Sequence, residues 1–230
     1  MSLSINKFFV GKSQAETTSN LPKIAELLGL NYNTENSIMY KGDDDTTGFK
    51  IDADSSNLHL YLASKGAVNS TSITNFAHSY GIYLYYYKTA DGTVVFGFNT
   101  GSNPPAIFAS CAKIKNISDE IIEEWAYLYG SRSTNVSDYY IASSLWSEVQ
   151  LTKVLNYESS FNVVTFVPFI FIIDGTKYFK FDKIFRVFTK VVSIDTETFI
   201  LNNKPYIISA LNSVNNYGGY SSFAIQIEEE

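Results

Sequence analysis

Few side chains in this sequence could do chemistry, and their spacings argue against it. His59 and His78 are the places to seek a general base or a metal ligand, because imidazole titrates near neutral pH. In Leu58-His59-Leu60-Tyr61-Leu62 the leucines alternate, which places them on one strand face and turns His59 to the opposite, solvent-facing side. His78 lies off the stripe made by Ile73, Phe76, Ala77 and Tyr80. Neither histidine has an acid or cysteine at ligand spacing, so neither a zinc site nor histidine-based catalysis is expected. Asp43, Asp44 and Asp45, followed by Asp52 and Asp54, could supply oxygen ligands to calcium. The D-x-[DN]-x-[DN]-G spacing with its closing Glu is absent, however, and the run reads as a hydrophilic loop.

Ser110 and Lys113 match the S-x-x-K pattern of serine acyl-enzymes, in which the lysine stands one helical turn beyond the serine to take its proton. Here the pair sits in a strand-like run with no K-T-G after it, so the match reads as coincidence. Cys111 lies in the same apolar run and reads as a buried, inert thiol; as the single cysteine it cannot form an internal disulfide. There is no Gly-rich phosphate loop, nucleophile elbow or H-E-x-x-H. Carboxylates converging from distant strands could serve glycoside hydrolysis, but nothing selects a pair. The expectation is a protein that is not an enzyme, with no catalytic residue, cofactor or metal.

Composition narrows the class further. Charged residues make up 17% of the chain, below the usual quarter, and Asn/Ser/Thr-rich stretches supply the polarity instead. The chain holds 17 Tyr and 17 Phe against 2 Trp, a balance that suits pleated sheets and contact surfaces. Net charge is −6 with no concentration of Lys and Arg, so nucleic acid is not an expected partner. The amino end lacks a basic start followed by a long apolar run, so no signal peptide is expected.

The elements that must position these residues follow from periodicity. Residues 163–173 form an apolar run of only eleven residues containing Pro168, whereas a spanning helix needs about 20, so membrane insertion is not expected. Asp174-Gly175 predicts a two-residue hairpin that sets Phe171 opposite Tyr178 and Phe169 opposite Lys180, with a free edge or a bulge at Pro168. Leu21, Ile24, Ala25 and Leu28 predict a helix with Asn20 as cap and Gly29 as stop. Ile73, Phe76, Ala77 and Tyr80 repeat that arrangement before Gly81. Three strand-like runs follow each helix, so residues 1–115 read as an α+β domain of two duplicated αβββ units. Ile121, Trp125 and Leu128 predict a connecting helix over 118–129, within a linking region 116–135. Residues 136–230 read as a mostly antiparallel β-sandwich or open barrel, with Asn202-Asn203 at one turn.

The stretches ADGTVVFGFNTG, AIFASCAKI, FIIDGTKYF, FILNNKPYIISAL and SSFAIQIE give the chain a texture that resembles virion proteins, of tail or baseplate type, from phages and prophages of low-GC Gram-positive bacteria. The resemblance implies a structural subunit assembling with itself and with other virion proteins, made in the bacterial cytoplasm and located in the virion. It transfers no functional residue. The aromatic excess gives the matching physical expectation of an interface built on Phe179, Phe181, Phe185, Phe188, Tyr217 and Tyr220, with core filling as the alternative. A second reading is a carbohydrate-binding or host-receptor-binding module that meets a surface glycan, with NNYGGY and YGSRS as candidate loops.

Overall fold

The computed structural model describes residues 6–68, 74–101, 109–131, 136–145, 150–155, 165–173, 177–189, 197–210 and 220–226. These residues are mostly antiparallel β with one α-helix, rather than the three helices that the apolar spacings predict. The chain opens with β1 (Asn6–Gly11) and α1 (Gln14–Leu28). The helix starts a full turn and more before the expected position, because Ser13 caps it by accepting from the Glu16 N–H, while the Glu16 carboxylate reaches back to the Lys12 N–H. Asn20, the expected cap, donates its amide to the Val10 carbonyl instead. Gly29 does end the helix: at φ 68 it is left-handed, and Gly29 and Leu30 donate back to Glu26 and Ala25.

A six-stranded sheet follows, made of β2 (Asn31–Asn33), β3 (Ile38–Tyr40), β4 (Gly48–Ala53), β5 (Asn57–Ser64), β6 (Ala67–Val68) and β7 (Thr74–Ala77). The expected second helix is replaced by β7 and a single 3₁₀ turn, His78–Tyr80. Such a short segment, rich in β-branched and polar residues, makes a marginal helix. Pairing with β5 gives it a ladder, Leu58 opposite Phe76, and lets Phe76 pack 5.5 Å from Phe98.

The other strands join β1 in a twelve-stranded sheet: β8 (Ile82–Lys88), β9 (Val94–Thr100), β10 (Ala109–Asn116), β11 (Ile121–Ser131), β12 (Val136–Ser143), β13 (Gln150–Leu155), β14 (Thr165–Ile173), β15 (Lys177–Thr189), β16 (Glu197–Leu201), β17 (Lys204–Ala210) and β18 (Tyr220–Gln226). The expected connecting helix is thus β11. Its apparent helical stripe arises because both faces are buried: Tyr127 and Tyr129 point to one core, Ala126 and Leu128 to the other. Asn116 shapes the link from β10, its side-chain oxygen accepting from the Ser118 and Glu120 N–H groups, so Ser118 caps no helix. β10 is hydrogen-bonded to β9, β11 and β15, its register with β11 shifting between Lys113 and Ile114.

Alternation across β9 to β12 builds two cores. One face, with Phe96, Phe98, Cys111, Tyr127 and Tyr129, packs on α1 and the smaller sheet. The other, with Val95, Ala112, Ile114, Leu128 and Ile141, meets Phe169, Phe179, Phe181 and Ile184, because the large sheet curls on itself as a half-barrel. No helix among the described residues is long and apolar enough to cross a membrane.

Candidate functional site

The hairpin of β14 and β15 carries the largest group of expected interface residues, and its register differs from the expected one by one residue. Ile173 pairs with Lys177, Ile172 with Tyr178 and Ile170 with Lys180, so the link holds three residues rather than two. This one-residue slip exchanges partners next to the turn, and beyond the irregularity the offset is larger, with Pro168 opposite Phe185. The irregularity expected at Pro168 is present between Pro168 and Ile170, and β14 pairs with β15 alone among the described residues.

Register and curl together place the aromatics. Phe179 and Phe181 are interior residues, 9% and 1% exposed, which removes them from the expected exposed surface. Phe185 is half-buried and packs edge-on against Tyr206, ring centres 5.8 Å apart. Phe188 and Tyr220 lie on β15 and β18, with side chains outside the described set; Tyr217 lies outside the described residues, as do most of NNYGGY and part of YGSRS. The solvent-facing apolar side chains of the hairpin are instead Ile170 and Tyr178, 52% and 45% exposed, on the face shared with Lys180. Nothing in the sequence separates Tyr178 from its buried neighbour Phe179 without knowing the register.

The residues weighed for chemistry are placed as follows. Ser110 is buried on one face of β10 and Lys113 projects from the other, so the lysine cannot take the serine proton. His59 is not without an acid: its ring nitrogens lie 2.7 Å from Asn75 Oδ1 and 3.0 Å from Asp54 Oδ2. Burial works against its charge, but these two hydrogen bonds and the Asp54 carboxylate outweigh it and raise the His59 pKa. His78 is buried, and neither ring nitrogen has a hydrogen-bond partner among the described residues. Asp44 accepts from the Thr46 N–H at 3.0 Å and its hydroxyl at 2.6 Å, Asp45 from Asn33 at 3.0 Å, and Asp52 from the Tyr61 hydroxyl. Asp44, Asp45 and Asp52 are thus engaged by protein donors, and no group of three or more metal-ligating side chains is gathered among the described residues.

One cleft escaped the sequence reading. It measures about 210 Å³ and lies where the β3–β4 loop meets β11, with Asp43, Asp44, Glu124, Trp125 and Tyr127 on its walls. Lys41 organises it. The Tyr127 hydroxyl accepts from the Lys41 N–H at 2.7 Å, the Lys41 ammonium lies 4.5 Å from the Trp125 ring centre, and it donates to the Gly92 carbonyl at 2.9 Å. Burial lowers the Lys41 pKa, with Lys88 acting in the same direction. Gly92 suits this position because its φ is 86, a left-handed conformation that residues with a Cβ rarely adopt. The acidic loop and the Trp125 strand are remote in sequence, and the misread helix hid the side on which Trp125 emerges. Compared with known proteins, the chain matches no family model, no curated protein and no solved structure.

Proposed function

We propose that this protein is a structural subunit of a phage or phage-like particle, a tail or baseplate component that works by protein–protein assembly and not by catalysis. The observation that carries the reading is the β14–β15 ribbon: its outward face presents Ile170 and Tyr178 to solvent, and β14 pairs with β15 alone among the described residues. Its partners on this reading are further copies of itself and other virion proteins, with synthesis in the bacterial cytoplasm and residence in the virion. Mass spectrometry of purified particles from the source organism, combined with light scattering of the purified chain, tests it. A ring, trimer or larger oligomer, or presence in particles, supports the reading; a strictly monomeric chain absent from particles overturns it.

A carbohydrate- or receptor-binding module is the alternative, and one observation favours it: the cleft sets the Trp125 indole beside Glu124, Asp43 and Asp44, a combination able to stack on a sugar ring and accept from its hydroxyls. Glycan binding abolished by Trp125→Ala would favour this reading over assembly.

A further inference from the structure

Strand β7 is joined to the smaller sheet by a short ladder. It has four residues and pairs with β5 alone among the described residues, from Thr74 opposite Leu60 to Ala77 opposite Asn57. Its inward side chain, Phe76, is 9% exposed and packs against Phe98. On the outer face His59 stands directly opposite Asn75, and its Nδ1 lies 2.7 Å from the Asn75 side-chain oxygen. The other ring nitrogen, Nε2, lies 3.0 Å from Asp54 Oδ2 in the link between β4 and β5. Two acceptors thus flank one ring, an arrangement that the doubly protonated imidazolium satisfies at both ends.

The groups around the ring decide which proton leaves first. Asp54 accepts from the Ser56 and Asn57 N–H groups at 2.7 Å each, and these bonds, with His59, hold its carboxyl at about 2. It therefore stays a carboxylate near neutral pH and keeps the Nε2 proton. Asp52 on β4, directly across from His59, is the other charge beside the ring, and it accepts from the Tyr61 hydroxyl. Lys50 lies farther along the same face, its ammonium 5.9 Å from the Tyr61 ring centre. β7 itself brings no titratable side chain. A neutral His59 consequently turns the bare lone pair of Nδ1 toward the Asn75 oxygen. The contact that titrates is the one that crosses from β5 to β7. Rebuilding it means turning the Asn75 amide end for end, and it replaces a charge-assisted bond by a weaker neutral one.

We propose that β7 is a pH-gated edge of the smaller sheet: the His59 imidazolium latches it to β5, and loss of the Nδ1 proton lets β7 lift more often and uncover the β5 edge from Asn57 to Leu60. The latch is built within one chain and is independent of the assembly reading.

Amide hydrogen exchange of the full chain, followed by NMR from about pH 6 to about pH 8.5 and corrected for intrinsic rates, tests it. In wild type, protection of the β7 amides that bond β5 should fall at least about threefold further across this range than protection of the β8 amides. His59→Gln carries no titrating ring and should show no such fall. Asn75→Asp sets a second carboxylate against the ring, favours the imidazolium and should carry the fall to higher pH. His78, buried in the turn after β7, is common to all three proteins, so differences between them belong to His59. Equal protection of β8 in the three establishes that the variants fold. A wild-type profile in which β7 and β8 change in parallel, or the same β7 profile in His59→Gln, overturns the proposal.

Discussion

The Lys183 ammonium lies 2.6 Å from the Asp91 carboxylate, and this one contact ties β15 to the loop between β8 and β9. Burial alone would raise the Asp91 pKa, but Lys183, the Thr89 hydroxyl and the Thr93 N–H outweigh it and hold the carboxyl at about 2, against an ordinary 3.8. A depressed folded-state pKa means stability that is present above the unfolded value and lost as pH falls through the folded one. Allowing for Asp91's partial exposure, the contribution is about 1 kcal/mol, lost between about pH 4 and pH 2. Asp91→Asn should lower stability by about 1–2 kcal/mol at neutral pH in urea unfolding, and the gap to wild type should narrow as the pH approaches about 2. A gap independent of pH would sink this account.

The fold was legible in the sequence where local signals act alone. The strand-like runs SIMYKG, GFKIDAD, LHLYLAS, IYLYYYK and TVVFGFN form β3, β4, β5, β8 and β9, and the stop at Gly29 and the Asn202-Asn203 turn stand where expected, the last with both residues at positive φ and Leu201 opposite Lys204. It was illegible where a tertiary contact decides. Trp125, Tyr127 and Tyr129 alternate with Ala126 and Leu128, a pattern of a doubly buried strand that periodicity cannot tell from a helix. Asp91-Gly92, a dipeptide that favours a two-residue turn, likewise lies in a longer loop: Lys88 pairs with Val94, and Asp91 accepts from the Thr89 hydroxyl and the Thr93 N–H. The cleft at Trp125 joins two segments that no spacing rule connects.

Cys111 is fully buried, and burial pushes its thiol up to about 12 despite the opposing charge of Lys41. Native protein at about pH 8 should therefore resist iodoacetamide, with reaction appearing only in denaturant. Rapid native labelling would show that the core around β10 opens.

His59 supplies a prediction of opposite sign. Its folded-state pKa is raised, so the stabilisation from Asp54 and Asn75 is fully present below the unfolded value and is lost as pH rises through the folded one. An NMR titration of the His59 ring should give a pKa above about 6.5, and Asp54→Asn should lower it. A value at or below the ordinary one in wild type would refute the pairing.

Phe181 and Ile200 separate interior from surface. Phe181 is 1% exposed and lies edge-on to Phe169, 6.4 Å between ring centres, whereas Ile200 is 69% exposed. Phe181→Ala should cost about 3–5 kcal/mol, and Ile200→Ser no more than about 0.5. Similar losses for both would mean that the curl of the large sheet is misplaced.

The ribbon that supports assembly can be tested without touching either core. Ile170 and Tyr178 face solvent, so polar replacements remove apolar area that the isolated chain does not bury, and the melting temperature should stay near that of wild type. If copies meet through this face, Ile170→Lys together with Tyr178→Ser should shift the chain to monomers in sedimentation velocity, because a lysine desolvated in an apolar contact lacks a partner. Phe181→Ala would confound the experiment by loosening the interior. The double variant isolates the surface: an unchanged oligomer, or a monomeric wild type, would place any assembly contact away from this ribbon.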